Sequence, residues 1–250
     1  MNTARPLQPA LPRVLWALLF GNFVIGSGVM VVPGTLNDIS TSLAISVPMA
    51  GQLISAAALL MCLGAPLLAG VVAAWDRRQL LTGCMLWYGL MHLVCAAMPS
   101  FETLLAARVL TVLSPAVFTP QAAACVGALV PPHQRGRSIS LVFLGWSVAS
   151  VLGMPIGSWV GGSLGWRYAF ALIALLSCIS AAWVWRTMPP GIRPPAFTFD
   201  SWRQTFRSRG LMLCVGVTAL YSAGQFVLFS YFAPYFKTTL VVGAGHISLL

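Results

Sequence analysis

The chain has 250 residues, of which 58% are apolar and 7% are charged, whereas soluble domains average roughly 45–50% and about 25%. Fourteen Lys and Arg residues and four Asp and Glu residues cannot build the polar shell of a soluble globule of this size. The composition therefore excludes an ordinary water-soluble domain. The formal charge of +10 does not indicate a nucleic-acid partner, because the basic residues stand singly between apolar runs rather than in a patch.

Seven stretches of 18 or more residues contain no Asp, Glu, Lys or Arg, and about 20 largely apolar residues are needed for a helix to cross a membrane. Their apolar pattern is continuous rather than alternating, which favours helices over the strands of a β-barrel. An eighth apolar run begins near Gly243 and reaches Leu250. The sequence thus predicts an all-α polytopic membrane protein with helices near 14–35, 48–74, 80–98, 103–130, 138–162, 168–187 and 210–233.

Basic residues are distributed unevenly between alternate loops. Only Arg167 and Lys237 fall on one side of the predicted membrane. Eleven of the 14 fall on the side of the N-terminus, namely Arg5, Arg13, Arg77, Arg78, Arg135, Arg137, Arg186, Arg193, Arg203, Arg207 and Arg209. Because short cytoplasmic loops carry the excess of Lys and Arg, we expect a cytoplasmic N-terminus in a multi-pass protein of the plasma (inner) membrane. The first span is expected to stay uncleaved, since no small-residue cleavage pattern follows it.

The composition changes at 188–209, which is rich in Pro and Gly and then in Arg. This change predicts a cytoplasmic tail at 1–12, a six-helix bundle at 13–187, a cytoplasmic linker at 188–209, and the start of a second bundle at 210–250 with helix 7 and a cut-off helix 8. Aromatic residues at helical spacing among the arginines of 199–209 favour a short amphipathic helix on an anionic leaflet. An unstructured basic tether is the alternative.

Arg108 lies inside a predicted span, roughly 9 Å into the fourth helix at 1.5 Å per residue. A charge within the membrane is costly enough to indicate function, but the side chain could instead snorkel to the outer interface or bond carbonyls of neighbouring helices. None of the four acids lies within the seven spans, so a proton-binding carboxylate is missing there. His92 has no second ligand or carboxylate at helical spacing, which favours a packed or bonded histidine over a proton relay.

Small residues recur at every fourth position of the fifth predicted helix, namely Gly145, Ala149, Gly153, Gly157, Gly161 and Gly165. Such a row lets another helix approach backbone to backbone. Pro155 is expected to bend the helix. The row therefore predicts tight packing, and a stronger hypothesis is that this bent helix also seals or gates a pathway.

Four polar residues share one face of the seventh predicted helix, namely Thr218, Tyr221, Ser222 and Gln225. A stripe of this kind either bonds another helix or lines a wet cavity, and the row of donors and acceptors favours a substrate cavity. Asn22 in the first helix can make an interhelical bond or a substrate contact.

Motifs of membrane enzymes, metal sites and nucleotide-driven pumps are missing from the sequence. It contains no CxxC and no HExxH, and its six cysteines fall within predicted spans as small apolar residues. We therefore expect neither an enzyme nor a cofactor or metal. The expected partners are a small-molecule substrate, the lipid bilayer and protons.

Four segments in order resemble the major facilitator superfamily, and in particular its arabinose-efflux and drug–proton antiporter branch. Segments 47–55 and 64–68 resemble helix 2 of that branch, and Asp76-Arg77-Arg78 resembles the end of the family's loop signature. Segments 105–110 and 130–137 resemble helix 4 with its exit loop, and Gly153-Met154-Pro155-Ile156-Gly157 resembles the helix 5 antiporter motif.

The resemblance implies two six-helix bundles that rock about a central site lined by helices 1, 4 and 7, each bundle being built of inverted three-helix repeats. It also implies that Arg77 and Arg78, with Asp76, hold the cytoplasmic side closed against the other bundle. Arg108 would be a cavity residue linked to proton coupling. The expected function is secondary active efflux of drug-like or sugar-like molecules.

Three departures leave alternatives open. Ala73 and Ala74 occupy the Asp-Arg positions of the loop signature, and Val29 occupies the position of the acid often found in helix 1 of that branch. A proton-independent exchanger or facilitator of the same fold is therefore the first alternative. The second is a truncated half that does not transport, because the chain reaches Leu250, about two-thirds of the roughly 400 residues of two bundles.

Overall fold

The computed structural model of the chain describes residues 11–193, 203 and 206–239. Within these residues the regular secondary structure is helical, and seven segments are long and apolar enough to cross a membrane, which confirms the all-α prediction. The helices are α1 Leu11–Ser42, α2 Val47–Val71, α3 Arg77–Ala97, α4 Phe101–Thr111, α5 Leu113–Leu129, α6 Arg135–Val148, α7 Met154–Leu164, α8 Trp166–Thr187 and α9 Arg209–Thr239. A 3₁₀ turn at Pro132–Gln134 precedes α6, and a π turn at Ala149–Gly153 joins α6 to α7.

The chain divides into two compact units, Met1–Pro194 and Pro195–Leu250. Helices α1–α8 belong to the first unit and α9 to the second. The division falls within the predicted linker, and the domain limits given above stay predictions. Most of the predicted amphipathic helix and the whole eighth apolar run lie outside the described residues.

Helix α1 is longer than the sequence predicts, since it contains Pro33 and continues to Ser42. A proline removes one backbone hydrogen bond from a helix, and neighbouring hydroxyl groups add bonds to carbonyls in this region. The Thr35 hydroxyl donates to the Val31 carbonyl at 2.7 Å, and the Thr41 hydroxyl donates to the Asn37 carbonyl at 2.9 Å. The predicted end at residue 35 was therefore wrong, and Asp38 lies within the helix.

The fourth span is two helices rather than the one predicted, because the backbone departs from helical geometry at Val112 (φ −74°, ψ −7°). Pro115 accounts for the interruption, since it has no N–H to donate to the Thr111 carbonyl four residues earlier. Thr111 itself donates its hydroxyl to the Ala107 carbonyl at 2.9 Å. The break separates Arg108, in the last turn of α4, from the start of α5.

The fifth span runs from Arg135 to Leu164, and the predicted bend takes the form of the π turn just before Pro155. The proline ring clashes with the carbonyl of residue i−4, which is Val151, and a wider turn relieves this clash. At the far end Gly165 has φ +107°, a conformation open to glycine because it has no Cβ. The turn at Gly165 leads directly into α8.

The centre of the first unit is occupied by α1, which packs against α6, α7 and α8, while α3 packs along α8. Its largest fully buried side chains include Tyr88, Phe118 and Phe170. By contrast, α2 buries few residues and exposes large apolar side chains such as Leu63 and Leu67. The central position of α1 places its backbone beside the polar residues of α3 and α4.

Candidate functional site

Arg108 is buried in the bundle, with 3% of its surface exposed. Its Nη2 donates a hydrogen bond of 2.9 Å to the carbonyl of Gly28 on α1. The other donors, Nε and Nη1, have no hydrogen-bond partner within the described part of the chain. Arg108 thus bonds a carbonyl of a neighbouring helix, which is one of the alternatives that the sequence left open. Two nitrogens of this buried cation have no acceptor in the described structure.

Gly28 permits this contact because it has no side chain. A Cβ atom at this position would overlap the Tyr88 hydroxyl and would lie 2.9 Å from Nε2 of His92. Any larger residue would therefore push α1 away from α3. The glycine brings the α1 backbone against Tyr88 and His92 on one side while its carbonyl accepts from Arg108.

Tyr88 and His92 are one helical turn apart on α3 and form an edge-on ring pair with centroids 4.3 Å apart. The Tyr88 hydroxyl donates to the Ile25 carbonyl of α1 at 3.0 Å. Nδ1 of His92 lies 2.8 Å from the Tyr88 carbonyl. Since a carbonyl can only accept, Nδ1 carries the proton and Nε2 has a free lone pair. Nε2 is buried without a partner among the described residues.

The polar cluster consists of Gly28, Tyr88, His92 and Arg108. It contains one permanent cation and one neutral base. No carboxylate belongs to it: Asp38 lies about 15 Å farther along α1 from Gly28, and Glu102 lies about 9 Å from Arg108 along α4. The arrangement can bind an acceptor at Arg108 and a proton at His92.

Sequence reasoning interpreted His92 as a packed or bonded histidine and did not select it as a site residue. The structure confirms the bond at Nδ1 and shows in addition a second ring nitrogen turned towards Gly28. One signal in the sequence could have found it, namely that Tyr88 and His92 place two polar aromatic side chains on the same helix face.

Asn22 is fully buried and bonds within the bundle. The Thr119 hydroxyl of α5 donates to its Oδ1 at 2.9 Å, and its Nδ2 donates to the Leu18 carbonyl at 3.4 Å. Asn22 thus makes the interhelical bond that the sequence allowed. It lies about 9 Å along α1 from Gly28, and its place in a substrate cavity stays a prediction.

The predicted gating loop begins with Asp76, which is the N-cap of α3. Its carboxylate accepts from the backbone N–H groups of Arg78 at 2.9 Å and Gln79 at 3.3 Å. The other carboxylate oxygen accepts from the backbone N–H of Gly191, just beyond α8. Asp76 therefore fixes the start of α3 and the start of the linker together.

Arg77 turns back to the end of α2 and is almost fully buried. Its guanidinium donates to the carbonyls of Val72 at 3.0 Å, Ala73 at 3.3 Å and Trp75 at 3.1 Å. The last carbonyls of a helix lack intrahelical partners, and Arg77 supplies donors at this end of α2. In the described structure these bonds lie within its own bundle, whereas a contact with the other bundle stays a prediction.

Arg78 lies over the Trp185 ring of α8, with its guanidinium carbon 4.2 Å from the ring centroid. The backbone N–H of Arg77 donates to the Ile192 carbonyl at 3.1 Å. Both contacts join the loop to α8 and the residues that follow it. The gating loop and the exit from the bundle thus form one bonded structure.

The small residues of the fifth span face α1, the helix that the sequence could not identify. A Cβ at Gly145 would overlap the Leu19 carbonyl and lie 2.8 Å from the Phe23 nitrogen. Gly153 lies against the Ser27 side chain and Gly161 against the Thr35 side chain, and a Cβ at either glycine would overlap those side-chain atoms. Gly157 has more room, since its Cβ would lie 3.7 Å from Val31. The predicted backbone contact therefore exists, with its closest approach at Gly145.

The polar residues predicted on the seventh span lie on α9, in the second unit. The Thr218 hydroxyl donates to the Cys214 carbonyl at 2.8 Å, so part of this row bonds its own helix. The cavity role of Tyr221, Ser222 and Gln225 stays a prediction.

Comparison with known proteins gives consistent matches. The model of the Major Facilitator Superfamily matches residues 18–250. The chain is 33% identical to the chloramphenicol resistance protein of Streptomyces lividans over 96% of its own length and 62% of that protein. It is 27% identical to a probable sugar efflux transporter of Pasteurella multocida over 91% of its own length and 56% of that protein.

Among solved structures, the chain is similar to a bacterial homolog of the human lysosomal transporter Spinster in an inward-facing, unoccupied conformation. The TM-score is 0.80 at 19% identity, covering 98% of this chain and 59% of that one. This likeness concerns the fold alone. The chain spans about six-tenths of the length of the curated relatives it matches.

Proposed function

The chain belongs to the major facilitator superfamily, and from that premise we propose that its first unit is one half of a secondary transporter that exports small molecules by alternating access. The observation that carries the proposal is the buried Arg108, bonded to the Gly28 carbonyl and left with two unused donors. Burying a cation in a membrane costs at least about 2.5 kcal/mol. Such a residue persists where function requires it.

The unused donors distinguish Arg108 from a structural cation. Buried polar groups are normally satisfied, because each unpaired one costs about 1–3 kcal/mol. Arg77 in this chain shows the structural case, with three carbonyl acceptors at the end of α2 and one nitrogen, Nε, without a partner in the described structure. Arg108 has one acceptor, and its remaining donors are available to a second conformation or to a bound molecule.

The other parts of the proposal rest on the resemblance and on the family. Asp76, Arg77 and Arg78 would stabilise the closed cytoplasmic side, and Gly153, Pro155, Gly157 and Gly161 would maintain the bent contact with α1. Asn22, Thr218, Tyr221, Ser222 and Gln225 would line the path of the substrate. The protein would lie in the plasma (inner) membrane with its N-terminus in the cytoplasm.

The substrate we propose is a small neutral molecule of the drug or sugar class. Its support is the similarity to a chloramphenicol resistance protein and to a probable sugar efflux transporter. The absence of any carboxylate from the polar cluster agrees with this choice, since an organic cation bound there would meet Arg108 without a counter-charge.

The test is accumulation of radiolabelled chloramphenicol and of a panel of sugars in the host, with and without its native gene. We expect higher accumulation of at least one compound after deletion, and we expect Arg108→Ala to restore less than a tenth of the efflux at equal protein level. Arg137→Ala, at an exposed loop arginine, is the matched control and should restore efflux fully. Equal accumulation of every compound in both strains would refute export of this substrate class.

A proton-independent exchanger or facilitator is the second candidate, favoured by Val29 and by the lack of acids in the predicted spans. A protonophore separates the two. Efflux that continues at the same rate after the proton gradient collapses would favour the exchanger, and efflux that stops would favour proton coupling.

A further inference from the structure

The two ring nitrogens of His92 have different surroundings. Nδ1 donates to the Tyr88 carbonyl at 2.8 Å, a bond that both the neutral and the protonated ring can make. Nε2 is turned towards Gly28, is buried, and has no partner in the part of the chain that the structure describes. This nitrogen can accept a proton through its lone pair, and its burial keeps water from donating a hydrogen bond to it.

Arg108 and Nε2 of His92 lie beside the same glycine, Gly28. The groups that face the ring from the surrounding helices are Tyr88 of α3, Phe170 of α8 and the Gly28 backbone of α1, and none of these is a carboxylate. Two positive charges a few ångströms apart repel strongly in a low-dielectric interior. His92 is therefore neutral while Arg108 occupies the Gly28 carbonyl.

We propose that His92 is the proton-carrying group of this bundle, and that it takes up a proton at Nε2 when Arg108 withdraws from the Gly28 carbonyl. This inference rests on the proposed transport function. The proton enters from the aqueous phase and binds the Nε2 lone pair. The hydrogen bond between Arg108 and Gly28 is the one that breaks.

The two events oppose each other through charge. A protonated ring has two N–H donors, and the Tyr88 carbonyl and the Gly28 backbone lie beside its two nitrogens. The Gly28 carbonyl oxygen has two lone pairs, so the opposition comes from the repulsion between protonated His92 and Arg108 beside the same glycine, not from the number of acceptors. Binding of the proton therefore favours the state in which Arg108 has left the Gly28 carbonyl.

The same arrangement supplies a titrating group beside Arg108, in a polar cluster that contains no carboxylate. A carboxylate in the first helix would pair with Arg108 when ionised, whereas this chain has Val29 in that region. His92 acts in the opposite sense, because its protonated form repels Arg108 rather than attracting it. Proton uptake would therefore release the arginine directly.

The first experiment compares His92→Gln with His133→Gln in proteoliposomes containing the protein expressed from its native gene. Glutamine keeps a polar amide of similar reach but cannot carry a proton, and His133 is an exposed histidine that makes a matched control. A trapped pH dye reports proton movement driven by a chloramphenicol gradient. Counterflow of labelled chloramphenicol reports exchange that needs no net proton transfer.

We expect His92→Gln to reduce proton movement at least 20-fold while counterflow stays within about twofold of wild type. His133→Gln should leave both rates unchanged. Wild-type proton movement in His92→Gln would overturn the inference and leave the transport function intact. Loss of counterflow together with proton movement would assign His92 a structural role instead, which also overturns it.

A second measurement needs no substrate. If the wild-type protein fails to exchange chloramphenicol, that failure counts against the proposed function for this compound, and the second measurement still tests His92. The chain contains three histidines, so the ¹³C-histidine NMR signal of His92 can be assigned by elimination with His133→Gln and His246→Gln. Removal of the charge in Arg108→Gln should increase the protonated share of the His92 signal at a given pH, because the repelling cation is gone. An unchanged titration, or none in either protein, would refute the inference.

Discussion

The contact between α1 and the fifth span predicts opposite effects for two identical substitutions, Gly145→Ala and Gly157→Ala. At Gly145 the added methyl group would overlap the Leu19 carbonyl and lie 2.8 Å from the Phe23 nitrogen. Both are backbone atoms and cannot rotate away. At Gly157 the nearest atom is a Val31 methyl at 3.7 Å, which is an ordinary contact.

The magnitudes follow from two terms. Replacing glycine by alanine inside a helix contributes up to about 1 kcal/mol of stability, and this term is the same at both positions. Overpacking costs about 1–3 kcal/mol and applies at Gly145, where α1 would have to retreat by at least about 0.6 Å to restore a contact of 3.4 Å with Phe23, and farther for the Leu19 carbonyl. We expect Gly145→Ala to lose up to about 2 kcal/mol and Gly157→Ala to keep or gain stability.

The assay is thermal unfolding of the detergent-solubilised protein, followed by a thiol-reactive dye. Cys95 and Cys125 are buried and free, whereas Cys62, Cys178 and Cys214 are exposed, so the exposed cysteines are replaced by serine in every variant and labelling of the buried ones reports unfolding of the bundle. For a chain of this size about 1 kcal/mol shifts the Tm by roughly 2–4 °C. The Tm of Gly145→Ala should therefore fall about 2 °C or more below that of Gly157→Ala. Equal Tm values, or a lower Tm for Gly157→Ala, would show that the contact does not govern stability.

Two further predictions concern the gating loop. Arg77→Lys should lower the Tm because an ammonium cannot reach three carbonyls at the end of α2 as the guanidinium does. We expect the free energy of unfolding to fall by about 1.5–3 kcal/mol. Arg78→Lys is the control and should change it little, since its cation can stay over Trp185. Asp76→Ala should cost about 1–2 kcal/mol as a lost N-cap and should also speed proteolysis near residue 191, since the Gly191 bond is lost with it. Asp76→Asn keeps an acceptor oxygen and should retain most of the cap; cleavage and Tm equal to wild type in Asp76→Ala would contradict the assignment.

The helices could be predicted from the sequence because each span is a continuous apolar run, whereas their ends and breaks could not. The first helix was expected to end near residue 35, yet α1 continues past Pro33 to Ser42 because the proline removes only one hydrogen bond and neighbouring helices pack against α1. Pro115 interrupts the fourth span instead. Both outcomes depend on tertiary packing, which the helix propensities of single residues do not describe.

The candidate site was predicted in part, for a related reason. Arg108 stands out in the sequence because a charge in an apolar run is visible by itself. His92 becomes significant only where Gly28 of α1 and Arg108 of α4 meet it, and no spacing within one helix contains that information. Arg77 and Arg78 are likewise equivalent in sequence, yet the first caps α2 and the second stacks on Trp185.

Helix α1 is held by two kinds of contact that differ in how easily they break. Along the fifth span the contact runs from Gly145 to Gly161, over more than four helical turns of closely packed small residues. The polar contact with α4 described here is one hydrogen bond, from Arg108 to Gly28, worth about 1.5–3 kcal/mol for a charged donor. A movement within the bundle would therefore carry α1 together with α6 and α7 and break the bond to Arg108 first. The polar cluster is thus the place where a conformational change, which breaks the bond to the Gly28 carbonyl, and proton uptake at Nε2 of His92 can affect each other.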